Sequence, residues 1–186
     1  MRGRGSCLLI GATALLSACG PSPTSSTKAS ASGASPQAEA PELWSIDAQN
    51  DQGKVIKTIL ICADAAVRQS FLRPMPSPNG EPCELIAPTV QTGGRFAARC
   101  KSGGRLLDVQ AESSGDQTRD FTVKLLIQSN VKGAEAFQQT LHYRRLEACP
   151  TGWSAGDAAA PGDQQTVNAV SGAVRQLPSP VQAPAS

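Results

Sequence analysis

The chain has 186 residues, with 17 basic and 15 acidic side chains and one histidine. So even a balance, with no basic run or stripe, argues against nucleic acid as a partner. A single histidine and no Cys-x-x-Cys pair leave no ligand set for a metal centre, and neither metal nor cofactor is expected.

Read from its start, the chain opens with the charged stretch Met1-Arg2-Gly3-Arg4, followed by an apolar run from Leu8 to Leu16. This is the pattern of a secretory signal peptide, and the run is far shorter than the ~20 residues of a membrane-spanning helix. It ends in Leu16-Ser17-Ala18-Cys19: a branched apolar residue, two small residues and a cysteine. That tetrad resembles the lipobox of bacterial lipoprotein precursors. The resemblance implies a signal peptide over residues 1–18 and lipidation of Cys19 as the first mature residue. Cys7 precedes the apolar run and would leave with the peptide. Gly20, rather than aspartate, follows Cys19; by resemblance to sorted lipoproteins this implies the outer membrane, with the protein facing the periplasm. Each buried methylene contributes ~0.8 kcal/mol, so several acyl chains on one cysteine make a firm anchor.

Residues 19–41 hold the lipidation site and a segment dominated by Ser, Pro, Ala, Thr and Gly, with Lys28 and Glu39 as its only charges. It buries too little apolar surface to offset ordering and is expected to be a flexible tether. Once Arg2 and Arg4 are removed, acidic and basic side chains balance. All aromatic residues lie between Trp44 and Trp153, and Cys62, Cys83, Cys100 and Cys149 fall within the same span. This brackets one domain over residues 42–157, about 115 residues and an ordinary single-domain size. Residues 158–186, rich in Ala, Pro, Gln, Gly and Ser, are expected to be a disordered tail.

Within the domain, strands are expected at Leu43–Gln49, Val55–Cys62 and Cys83–Thr89. Period-two alternation adds Arg95–Lys101, the set Leu107, Val109 and Ala111, the segment Phe121–Gln128, and the set Phe137, Leu141 and Tyr143. One short helix is expected at Asp64–Leu72, capped by Asp64 and ended by Pro74. Gly93-Gly94, Ser102-Gly103-Gly104 and Ser113–Asp116 supply turns. The fold class is mainly β: an antiparallel meander of about seven strands forming a curved sheet, sandwich or half-barrel.

Several segments carry a family likeness. They are Pro41-Glu42-Leu43-Trp44, Gly94-Arg95-Phe96-Ala97-Ala98-Arg99-Cys100-Lys101, the closing Tyr143-Arg144-Arg145-Leu146-Glu147-Ala148-Cys149-Pro150-Thr151-Gly152-Trp153, and the four cysteines. Together they resemble domain-of-unknown-function family 3617, small exported proteins of Gram-negative bacteria, over about residues 41–157. The family pattern has glycine before Leu-Trp and before its last cysteine pair; Glu42 and Glu147-Ala148 stand there instead. The resemblance implies export and fold, and no activity.

Four cysteines in an exported domain point to two disulfides. Placing Cys83 opposite Cys100 across a hairpin sets Glu84 against Arg99, Leu85 against Ala98 and Ala87 against Phe96. It leaves the four-residue loop Val90–Gly93. That register predicts Cys83–Cys100 and, by elimination, Cys62–Cys149.

Candidate chemistry is sparse. His142 is a lone histidine on a strand, on the face opposite Leu141 and Tyr143. Arg145 would share the face of Tyr143 and so needs a charge partner or a route to solvent. The expected function is therefore a non-catalytic binding or accessory module of the envelope. Its membrane contact is the lipid, and its ligand an envelope protein, a polymer or an apolar molecule. The alternatives are an enzyme whose site gathers His142, Arg145 and Asp108, or a purely structural envelope protein. A pocket joining those three residues favours the enzyme; their separation on opposite faces removes it.

Overall fold

The structure is a computed structural model and describes residues 40–182. The expected signal peptide, Cys19 and all but the last two residues of the tether lie outside the described residues.

Among the described residues, eleven antiparallel strands form one open sheet. They are β1 (Glu42–Gln49), β2 (Val55–Ala63), β3 (Glu84–Leu85), β4 (Val90–Thr92), β5 (Arg95–Ser102), β6 (Arg105–Asp116), β7 (Asp120–Ser129), β8 (Phe137–Ala148), β9 (Asp157–Ala159), β10 (Gln165–Asn168) and β11 (Val174–Gln176). The spatial order is β11-β10-β9-β2-β1-β8-β7-β6-β5-β3, with β4 also paired to β5. Strands β5 to β8 are the expected meander. β1 departs from it, lying between β2 and β8, so the first strand closes against the last long one.

Alternation explains the long strands. Phe96, Ala98 and Cys100 of β5, Leu107, Val109 and Ala111 of β6, and Phe121, Val123 and Leu125 of β7 are buried on one face, called the inner face here. Trp44, Ile61 and Tyr143 extend that face across β1, β2 and β8. The one α-helix among the described residues, α1 (Ala65–Phe71), lies against it. Asp64 caps the helix by accepting from the Val67 N–H at 2.9 Å, and Val67 and Phe71, four residues apart, turn inward. Phe71 stacks on Tyr143, Tyr143 stacks on Phe121 at 4.6 Å, and Trp44 meets Phe71 and Phe121 edge-on. Burial pushes the Tyr143 hydroxyl well above its ordinary pKa.

Close backbone approach shapes one end of β6. Gly115 faces Phe121 at a positive φ of 102°, and a Cβ there would stand 2.8 Å from the Asp120 carbonyl oxygen.

Three expectations need correction. Of the strand expected at Cys83–Thr89 only β3 forms, and β4 follows in residues expected as the loop; Pro88 lies between them and has no N–H for the ladder. The hairpin register also differs. Glu84 faces Lys101, Leu85 faces Cys100, Val90 faces Ala97 and Thr92 faces Arg95. Gly93 and Gly94 both have positive φ, 56° and 81°, and close a two-residue turn instead of the four-residue loop. Arg99 consequently finds its acid across the other edge of β5, on Asp108 of β6 at 2.6 Å.

The third correction concerns the C-terminal segment. The segment expected to be a disordered tail contributes β9, β10 and β11, so the sheet runs past residue 157; residues 183–186 lie outside the described residues. Backbone pairing and polar contacts hold this layer, which is why a search for apolar periodicity does not find it.

Both disulfides are those expected. Cys83–Cys100 joins the residue before β3 to β5 with Cα atoms 5.5 Å apart, and Cys62–Cys149 joins β2 to the residue after β8 at 5.7 Å. The first survives the register change because Cys83 still lies at the edge of β5.

Candidate functional site

The outer face of the sheet divides into a polar and an apolar zone. In the polar zone, cross-strand register places Thr58, Asp47, His142 and Thr122 in one row. Asp47 is buried; it accepts from the Thr58 hydroxyl at 2.6 Å and from Arg144 Nη2 at 3.2 Å. His142 Nε2 lies 2.8 Å from Asp120 Oδ1. Arg144 Nε is buried without a hydrogen-bond partner beside these contacts.

The residues considered for an assembled catalytic site are dispersed. His142 pairs with Asp120 and Asp108 with Arg99, both on the outer face. Arg145 turns to the other side, where its Nη1 lies 3.2 Å from Glu42; the same carboxylate meets Arg68 of α1. The three residues have three separate partners on opposite faces, so the structure does not bring them together.

The chain also contains a Gly-x-Ser-x-Gly match, Gly152-Trp153-Ser154-Ala155-Gly156. A nucleophile elbow needs a strand, a sharp turn and a helix. This segment instead joins β8 to β9, no helix follows it, and the Ser154 N–H donates to Asp157. Its serine is part of a turn.

The apolar zone starts where the polar rows end. Leu60 follows Thr58 along the outer face of β2, Leu43 precedes Ser45 on β1, and Leu146 follows Arg144 on β8. These three leucines floor a groove of about 570 Å3. Its walls have two sources. After the Cys62–Cys149 bridge the chain turns, with the Trp153 N–H donating to the Pro150 carbonyl at 3.0 Å, and Trp153 lines the groove. Opposite, residues Leu177–Gln182 run back over the outer face as a strap. Glu147 is the only ionisable residue of the lining.

A buried polar knot fixes the layer that carries the strap. The Asp157 carboxylate accepts from the Ser154 N–H at 2.8 Å and from Asn168 Nδ2 at 2.9 Å, and Arg175 Nη2 lies 3.1 Å from it. Arg175 also donates to the Gly152 carbonyl. Burial alone raises the carboxyl pKa; the two hydrogen bonds and the Arg175 charge together outweigh it and hold Asp157 below the usual range.

A second, larger recess of about 890 Å3 lies over β5 to β8, lined by Ala97, Gln110, Leu126 and Gln138 and by the charged row Arg95, Glu112 and Lys124. Its mixed lining offers no continuous apolar floor, and its row of charges alternates in sign. Among the described residues no cluster of His, Cys, Asp and Glu could hold a metal ion, and no helix is long and apolar enough to cross a membrane.

No family model, no curated protein and no solved structure matches the chain.

The groove residues are those that sequence reasoning missed. Leu43, Leu60 and Leu146 were legible as large apolar residues on the outward side of alternating strands. Leu177 and Val181 were not, because nothing local marks the partner they cover.

Proposed function

We propose that this protein is a lipid-anchored, non-catalytic binding module of the bacterial envelope, facing the periplasm, and that the outer-face groove holds its ligand. The groove carries the reading. Its volume of about 570 Å3 falls within the ~300–1,000 Å3 of small-ligand pockets, and aliphatic side chains, prolines and one tryptophan dominate its lining. Leu60 is buried and Leu43 and Leu146 are half-buried beneath the strap and the Trp153 turn, so an apolar guest in the groove would meet a floor of leucines. The lipobox-like Leu16-Ser17-Ala18-Cys19, the pair of disulfides and the Ser/Pro-rich segment before β1 support an exported, tethered module. The likeness to family 3617 belongs to the same proposal.

The test is extraction of the protein purified from its own membranes. An apolar molecule should co-purify with the wild type and be missing from Ala148→Trp, which fills the groove from an exposed position at its wall. Equal yields from both proteins, or none from either, would count against the reading.

A further inference from the structure

The strap has an uneven construction. Leu177 and Val181 are half-buried, whereas Pro178, Ser179 and Pro180 between them are exposed. Its backbone bonds sit at its two ends. The Leu177 N–H donates to the Gln164 carbonyl at 2.8 Å, the Val181 N–H to Asp163 at 2.9 Å, and the Gly162 N–H to Val181 at 2.8 Å. Among the described residues, none of 178–180 makes a backbone hydrogen bond to the body. Two of these three are prolines, which have no N–H and hold their φ near −65°, so the middle is a stiff span that cannot join the ladder. The strap is an arch with two apolar feet, standing at the side of a groove floored by Leu43, Leu60 and Leu146.

We infer that this arch is a gate, which lifts from its feet to admit one uncharged aliphatic chain, such as the acyl chain of a neutral ester, and closes over it. The inference rests on the groove being the ligand site. Charge decides the ligand class. Glu147 is the sole ionisable residue of the lining, and no lysine or arginine lines the groove to receive a carboxylate or phosphate. An anionic head group would meet only a like charge, while an uncharged chain needs no polar partner. The fastening favours movement of the strap over movement of the floor. Two floor residues are fastened by ladder pairing, Leu43 with Cys62 and Leu60 with Ser45, and Leu146 lies at the bulge beyond Arg145 on β8, whereas lifting the strap breaks three backbone bonds and uncovers two half-buried side chains. A ligand that needs the open form binds more weakly and more slowly in proportion to the open fraction.

The test uses the full mature chain with Cys19→Ala, monopalmitoylglycerol as probe, and Trp153 emission followed by stopped flow, with Trp153→Phe identifying the signal. Two variants loosen the gate: a chain ending at Gln176, and the full-length double variant Leu177→Ser/Val181→Ser. Both should bind the probe about tenfold faster or more, as expected if the parent is open a tenth of the time or less. Palmitate at alkaline pH should bind all forms at least about tenfold more weakly than the neutral ester, a difference of about 1.4 kcal/mol. Equal association rates in parent and variants would overturn the gate and leave the groove as a ligand site. Loss of binding in both variants at an unchanged thermal midpoint would also overturn it, making the strap a fixed wall. Equal affinity for palmitate would overturn the uncharged class. Failure of every form to bind either probe would overturn the inference together with the proposed function.

Discussion

Arg175 Nη2 lies 3.1 Å from the Asp157 carboxylate and so ties the last strand to the residue that opens β9. Asp157 is only 2% exposed, whereas the Arg175 side chain is half exposed, so the two partners differ in energetic weight. Arg175→Ala should cost about 1 kcal/mol or less, since solvent screens that side. Asp157→Ala should cost about 2–3 kcal/mol, because it strands the Ser154 and Asn168 donors. Urea melts monitored by Trp153 emission would rank the two.

The same carboxylate sets an acid dependence. Its folded pKa is depressed, so its stabilisation is complete above the unfolded value of about 3.9 and is lost as pH falls through the folded value. Amide exchange in residues 157–176 should therefore accelerate below about pH 4, before that of β6 and β7. Asp157→Asn should remove this step. An identical acid profile in the variant would show that another group governs the layer.

The disulfides close loops of different size. With sequence separations of 17 and 87, the chain-entropy estimate is about 3 kcal/mol for Cys83–Cys100 and about 4.6 kcal/mol for Cys62–Cys149. Cys62→Ala/Cys149→Ala should therefore destabilise more than Cys83→Ala/Cys100→Ala in denaturant. It should also free the chain beyond β8, including the turn that presents Trp153. The reverse ranking would contradict the assignment of the longer bridge as the fastener of the groove wall.

These bridges show how far the sequence carried. Cys83–Cys100 was reached from a register that the structure corrects, because a Gly-Gly turn and Pro88 act locally and outrank the charge pairing assumed for Glu84 and Arg99. The helix was legible from Asp64 and Pro74, and the long strands from alternation. The position of β1 between β2 and β8 was not, since a non-local pairing leaves no mark in either strand alone. The C-terminal layer was hidden for a related reason. Asp157, Asn168 and Arg175 read as solvated polar residues until folding places them in one buried contact.

Two buried hydroxyls offer a test of packing. Ser45 Oγ and Thr166 Oγ1 are buried without a hydrogen-bond partner. Thr166→Val, which keeps the shape, should be neutral or should stabilise by about 1 kcal/mol, because a desolvated hydroxyl is removed. Ser45→Ala should behave alike. A loss above about 1 kcal/mol for Thr166→Val in a thermal melt would mean that its hydroxyl is satisfied in solution.

Anchoring can be tested apart from the groove. Cys19→Ala should leave the precursor uncleaved or release a soluble product, and in either case remove lipid-dependent partitioning into the detergent phase. A variant that partitions like the parent would contradict lipidation at Cys19.

The central claim is that the outer-face groove holds an aliphatic ligand in the cell. The most direct measurement is photo-crosslinking in intact cells, with a small aliphatic diazirine amino acid, which unlike tryptophan leaves the groove open, in place of Ala148 at the groove wall and, as control, in place of exposed Lys132. Intact-mass spectrometry should find a light-dependent adduct of lipid mass at position 148 and none at 132. No adduct at 148, or the same adduct at both positions, would contradict the account.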